Sequence, residues 1–189
     1  MYRFFNSRFG NPILKSLGKY IYVNNLNKKK TRNKYPFHIS ITIDTESGYI
    51  KKNDQRVWQK SNPKEYIGYY KGIENWRNLL NKYDINATFF LSTNCFSAEK
   101  KILEKIKTQL KLLIKEGHEI GLHIHPDSDL ALQKITKQKY KYTSAKYYSK
   151  KELNTIISVS KKLIKGHLGI TPKSIRWGNW ALNTNSVDI

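Results

Sequence analysis

Apolar and polar residues alternate with a period of two from His38 to Asp44, in His-Ile-Ser-Ile-Thr-Ile-Asp. This predicts a strand with Ile39, Ile41 and Ile43 on one face. A polar stretch from Ser47 to about Pro63 reads as a loop. The period then changes: Ile73, Trp76, Leu79, Leu80 and Tyr83 recur at helical spacing and predict a helix over 70–83. Ala87-Thr-Phe-Phe-Leu-Ser92 is apolar on both sides, as a strand buried in a parallel sheet is. A long helix is predicted over 97–116, with Ser97 as N-cap and Gly117 just past its end. Glu119 to His125 predicts a third strand. Ser149 to about His167 predicts another helix, with Ser149 and Glu152 in capping-box spacing and Gly169 and Pro172 as its stop. Ser174 to Trp177 is a short fourth strand, and a basic, Tyr-rich loop covers 139–148. Alternation of strands and helices predicts an α/β fold with a parallel sheet. Ahead of it, residues 1–23 have the pattern of an amphipathic arm, and a polar segment, 24–34, reads as a linker. The compact domain is expected to start near Pro36, giving an arm and linker over 1–35 and one domain over 36–189.

Composition narrows this picture. With 189 residues and 39% hydrophobic content the chain can bury a sizeable core in one domain. No apolar run approaches the ~20 residues of a membrane span, and Arg and Asn interrupt the first ten residues too often for a secretory signal. The single cysteine, Cys95, excludes an internal disulfide and fits a reducing, cytoplasmic setting. The formal charge of +21 has two readings: a solvated, Lys-rich surface, or attraction to an anionic partner. The one dense basic run, Lys28-Lys29-Lys30-Thr31-Arg32, lies in the linker, and no nucleic-acid motif accompanies it. A nucleic-acid partner is therefore not expected.

Candidate chemistry gathers at the predicted carboxyl ends of strands, where α/β folds place their sites. Residues 117–127 read Gly-His-Glu-Ile-Gly-Leu-His-Ile-His-Pro-Asp. His123 and His125 are two apart and so share a strand face. Pro126 ends the strand and Asp127 follows. Imidazoles with a carboxylate suit Zn, Fe or Co. The competing reading packs one His in the core and leaves the other solvated. Asp44 and Glu46, also two apart, end the first strand, and paired carboxylates can divide metal binding from general-base work. Arg176 ends the fourth strand.

Three of these segments together resemble the polysaccharide deacetylases of carbohydrate esterase family four, which share the chitooligosaccharide-deacetylase homology domain. Ile41-Thr-Ile-Asp-Thr-Glu-Ser-Gly48 stands at the family's Thr-Phe-Asp-Asp motif. His118-Glu-Ile-Gly-Leu-His123 and its continuation stand at the His-x-x-x-His motif. Ser174-Ile-Arg-Trp-Gly-Asn-Trp180 stands at the Arg motif. The resemblance spans residues from about 36 to 189. It implies a distorted (β/α) barrel, of which this chain holds the N-terminal portion, and a divalent metal, usually Zn. It also implies an acetylated polysaccharide or oligosaccharide as substrate, hydrolysed at an N-acetyl or O-acetyl group. Carried over residue by residue, Asp44 matches the base that activates water, His123 the first metal His, and Arg176 the residue that positions the base. Trp177 or Trp180 would line a sugar groove, with core packing the alternative for Trp177.

Three departures qualify this. Thr45 stands where a second Asp is expected, so Glu46 becomes the acidic ligand. The second His of the motif falls on Asp127 while His125 lies between, leaving both as candidates for the third ligand, with a lean to His125. Finally, the family continues through further strands to a motif that supplies an acid His. No such segment follows here, and an incomplete domain is expected; His167 reads as a capping or surface residue rather than a substitute. Besides the deacetylase, two readings compete: an inactive fragment that keeps a glycan or metal site, and a basic module that binds anions.

Overall fold

A computed structural model of the chain describes residues 39–47, 50–52, 55–57 and 66–181. The expected arm and linker over 1–35 lie outside them. Among the described residues there are six strands: β1 (Thr42–Thr45), β2 (Ile50–Lys52), β3 (Gln55–Val57), β4 (Thr88–Ser92), β5 (Glu119–Ile124) and β6 (Ile175–Trp177). The same residues hold the α-helices α1 (Ile73–Lys82), α2 (Lys100–Lys115), α3 (Leu130–Thr136) and α4 (Lys150–Leu168). β1, β4, β5 and β6 form one parallel sheet in that order. Each new strand is added at the same edge, and the order never reverses. The sheet therefore lacks the switch point of a doubly wound fold and winds as a (β/α) barrel wall does.

Curvature follows from one contact. β1 and β6 are three strand spacings apart, about 14 Å on a flat sheet. Yet the Arg176 guanidinium on β6 reaches both Asp44 and Thr42 on β1, across the ring of Phe90 on β4. An Arg and an Asp side chain do not span a flat gap of that width, so the sheet curls. The chain forms the N-terminal portion of a distorted (β/α) barrel.

The outer layer reads directly from helical periodicity. α2 buries Ile102, Ile106, Leu110 and Leu113 along one stripe, and α4 buries Leu153, Ile156, Ile157, Leu163 and Ile164. These meet Phe89 and Leu91 of β4 and Ile120 and Leu122 of β5 in a single core. The α4 cap forms as its spacing predicts: the Ser149 side chain accepts from the Glu152 N–H, and the Glu152 carboxylate accepts from the Ser149 N–H at 2.8 Å. Gly169 closes the helix at φ 76°, and Gly117 follows α2 at φ 85°.

Several boundaries differ from expectation. α2 begins at Lys100, not Ser97. Thr93–Ser97 form a separate 3₁₀ turn, in which the Ser97 hydroxyl donates to the Asn94 carbonyl at 2.6 Å instead of capping α2. The polar stretch after β1 contains the antiparallel pair β2–β3. α1 is preceded by a π-helical turn, Gly68–Gly72. α3 was not anticipated: it is short, and Asp129 caps it by accepting from the Leu132 N–H at 3.0 Å. No helix among the described residues is long and apolar enough to cross a membrane.

Candidate active site

The carboxyl ends of β1, β5 and β6 supply the site. Alternation along the first of these segments sends Thr45 inward and leaves Asp44 and Glu46 on the opposite side. On β5 the same alternation carries His123 and, one residue past the strand, His125. Their rings sit 4.8 Å apart, edge to face. Glu46 Oε2 lies 3.3 Å from His123 Nε2 and 3.0 Å from His125 Nε2, and the two Nε2 atoms are 3.1 Å apart.

This near-equilateral triangle of donor atoms is informative. Zinc bonds of 2.0–2.2 Å in a tetrahedron place neighbouring ligand atoms about 3.3 Å apart. Two ring nitrogens and a carboxylate oxygen at this spacing fit one small divalent cation. They form the only such His, Cys, Asp or Glu group among the described residues. The orientation of His123 supports the same reading. Its Nδ1 lies 3.2 Å from the Arg176 carbonyl oxygen. A carbonyl only accepts, so Nδ1 carries a proton, which leaves Nε2 as the ring atom that would give its lone pair to a cation bound in the triangle.

Electrostatics follow from this crowding. Burial works to raise the Glu46 pKa, but hydrogen bonds and charge from His123 and His125 outweigh it and hold the carboxyl at about 2. Burial works to lower the pKa of His125. Its hydrogen bond to Glu46 and the negative charges of Glu46, Asp127 and Asp44 overcome this and raise it.

Asp44 stands beside the triangle, its Oδ1 3.9 Å from His123 Nδ1. Arg176 Nη1 donates to Asp44 Oδ1 at 2.6 Å, and Nη2 donates to Thr42 Oγ1 at 2.7 Å. The guanidinium carbon lies over two rings, 4.2 Å from the centre of Phe90 and 4.9 Å from that of Trp180. Such a stacked, doubly bonded Arg fixes one orientation of the carboxylate it meets.

The other expected residues divide. Asp127 is exposed and not part of the triangle, and its backbone carbonyl accepts from the Gln133 side chain at 3.0 Å. The reason is local. β5 stops at Ile124, and the turn over 126–128 breaks the alternation that would have kept Asp127 on the face of His125. Trp177 is 1% exposed, and its indole N–H donates to the Thr143 carbonyl at 2.6 Å. Its ring packs in the core, leaving no face for a sugar. Trp180 is 77% exposed. His118 is a core residue whose Nδ1 accepts from the Ala87 N–H at 3.2 Å. His167 stacks on Phe96, away from the triangle.

Sequence reasoning missed two supporting residues. Asp129 is fully buried, and burial raises its carboxyl to about 6 despite hydrogen bonds from the Leu132 and Ala131 N–H groups and the Thr93 hydroxyl. An Asp directly before the apolar run Leu130-Ala-Leu132 is an N-cap signal and pointed to it. Gly178 is the other: a Cβ built there would lie 2.3–2.5 Å from the His125 ring. No sequence pattern reveals that approach.

A parallel sheet thus brings two His and a carboxylate together at its carboxyl rim, beside an Arg–Asp pair, in one compact polar site. The polysaccharide deacetylase family matches residues 67–189, and the chain belongs to that family. Among solved structures it is similar to the Xyl-CE4 domain of a multidomain xylanase from the hindgut metagenome of Trinervitermes trinervoides, at 16% identity and TM-score 0.46. That match covers 79% of this chain and 52% of the other. It is also similar to the peptidoglycan deacetylase PdaC from Bacillus subtilis, at 20% identity and TM-score 0.45, over 79% of this chain and 52% of that one. The chain thus spans about half the length of these structures. No curated protein matches it.

Proposed function

We propose that this chain carries the metal and base residues of a metal-dependent hydrolase that removes N-acetyl, or O-acetyl, groups from a polysaccharide or glycan. The observation that carries the reading is the Glu46–His123–His125 triangle beside a separate Asp44–Arg176 pair, in a member of the polysaccharide deacetylase family. Glu46, His123 and His125 would hold the metal, with Zn the best match to two imidazoles and one carboxylate. Bound there, the metal supplies Lewis acidity, polarising an acetyl carbonyl and lowering the pKa of water from about 16 toward about 7.

The chain's own residues supply the rest. Asp44 lies outside the triangle and is placed to accept a proton from attacking water at its carboxylate. Arg176 acts on Asp44, fixing its position and balancing its charge through the 2.6 Å bond. The exposed ring of Trp180 offers an apolar face on which a pyranose can stack. Hydrolysis of an N-acetyl group by this route yields acetate and a free amine on the sugar.

The test combines elemental analysis with acetate release from N-acetylglucosamine oligomers, on this chain and on any longer protein that contains it. About one divalent metal per chain is expected, lost in His123→Ala and His125→Ala and kept in Asp127→Ala. Asp44→Asn should keep the metal and release no acetate, whereas Glu46→Gln should weaken metal binding. Retention of metal by His125→Ala with its loss in Asp127→Ala would replace the third ligand. Acetate release by Asp44→Asn at the unsubstituted rate would remove Asp44 as base.

A further inference from the structure

Two of the three residues in the triangle stand outside the sheet. His123 pairs with Ser92 inside the β4–β5 ladder. The ladders end at Thr45 on β1 and at Ile124 on β5, so strand pairing holds neither Glu46 nor His125. A side chain from the strand between them supplies a link.

Asn94 lies just past β4, in the 3₁₀ turn Thr93–Ser97, and is buried. Its Nδ2 donates to the Ser47 hydroxyl at 2.7 Å, and its Oδ1 accepts from the Leu130 N–H at 3.0 Å. A backbone N–H only donates, so Oδ1 must face Leu130 and Nδ2 must face Ser47. Ser47 is the residue after Glu46 and is itself buried. Leu130 opens α3, at the end of a tight turn in which the His125 carbonyl accepts from the Ser128 and Asp129 N–H groups at 3.1 and 3.0 Å. One buried amide therefore ties the segment of Glu46 to the segment of His125. The link needs a donor and an acceptor on one short side chain, which Asn has and an ionised Asp lacks. Helix capping accounts for the bond to Leu130, whose N–H has no partner within α3. It does not account for the bond to Ser47, which is 47 residues away in the chain.

We propose that Asn94 is a positioning residue for the metal site, setting the separation of Glu46 from His125 and so the size of the triangle that receives the cation. This rests on the metal reading given above. Asn94 acts through Ser47 and Leu130, not on the metal itself.

Zinc affinity of the full chain, measured by competition with a chelating dye well below the melting temperature, tests this. Asn94→Ala loses both bonds and should bind zinc at least about tenfold more weakly. Ser47→Ala loses only the bond on the Glu46 side and should show a smaller loss. The two substitutions together should bind zinc no more weakly than Asn94→Ala alone, because the same link is cut twice. Leu163→Ala, in the buried stripe of α4, controls for general loss of stability. It should lower the melting temperature of the metal-free protein and leave zinc affinity unchanged. Cobalt(II) bound in place of zinc gives a spectroscopic readout of ligand geometry: its absorption bands should change in Asn94→Ala and not in Leu163→Ala. Unchanged zinc affinity or an unchanged cobalt spectrum in Asn94→Ala would overturn the proposal. An equal loss of affinity in Leu163→Ala would do so too, as would fully additive losses in the double variant. Should Asn94→Ala fail to fold, unchanged zinc affinity in Ser47→Ala overturns it instead. An unsubstituted chain that binds no zinc removes the metal reading and this inference together, whereas zinc bound equally well with and without the Asn94 amide removes the inference alone.

Discussion

At the residue scale the site depends on where the His125 ring can lie. His123 is oriented by its own strand neighbour, through the Arg176 carbonyl, but His125 stands one residue past β5. What sets its ring is the absence of a side chain at residue 178: a Cβ there would lie 2.3–2.5 Å from three ring atoms, nearer than atoms pack. Gly178→Ala must therefore displace the ring and open the triangle. Zinc affinity, measured by competition with a chelating dye, should fall by roughly 10- to 100-fold, the usual effect of disturbing what orients a ligand. Melting of the metal-free protein should change far less. Unchanged zinc affinity in Gly178→Ala would mean that His125 is not held as described. The same logic separates the tryptophans. Trp177 and Trp180 are three residues apart in one motif, but only Trp180 has a ring face in solvent.

At the element scale, the parts legible in the sequence were those with a repeating signal or a paired cap. The period of α2 and α4, the two-sided apolar run of β4 and the Ser149–Glu152 box each state a structure several times over. The pairing of His123 with His125, and of Asp44 with Glu46, was legible because strand alternation is strict. The choice between His125 and Asp127 was not, because it turns on the residue where β5 stops. The β2–β3 hairpin has three-residue strands and lay in a polar stretch, too short for a period to show. α3, with seven residues, was hidden likewise, although its cap was visible. That cap carries a pH dependence. Asp129 has a folded pKa of about 6 against 3.8, so the folded state binds the proton more tightly than the unfolded state between these values. Stability from this group is therefore fully present below about pH 4 and is lost as pH rises through about 6. Asp129→Asn keeps a cap acceptor and never carries the charge. Its melting temperature, measured with chelator present, should match the unsubstituted protein near pH 4 and exceed it near pH 7. That difference corresponds to a stability gap on the order of 3 kcal/mol at most. A difference independent of pH would show that Asp129 is not the titrating group.

At the scale of the whole molecule, the site joins parts of the sheet that are distant in the chain. Glu46 follows β1, His123 lies in the last residues of β5 with His125 just past it, and β4 runs between the two strands. Arg176 on β6 then reaches back across β4 to β1. A cation held by Glu46, His123 and His125 would therefore link the first and third strands of the sheet. The same three groups would be separated in the unfolded chain, by 77 residues in the case of Glu46 and His123. A ligand that binds the folded state alone stabilises it by mass action, about 2.7 kcal/mol at 100 times its Kd. For a chain of this length that corresponds to a rise in melting temperature of roughly 5–10 °C. Removing metal with a chelator should lower melting by this amount, and adding back zinc should restore it. His123→Ala should melt at one temperature with or without chelator, because only the metal-dependent increment is lost. Asp127→Ala should keep the full increment, since its side chain lies outside the triangle. Insensitivity of the unsubstituted protein to chelator, with zinc absent from the purified chain, would show that the triangle holds no metal. Its short nitrogen–oxygen distances would then be those of hydrogen bonds from the histidines to Glu46 alone.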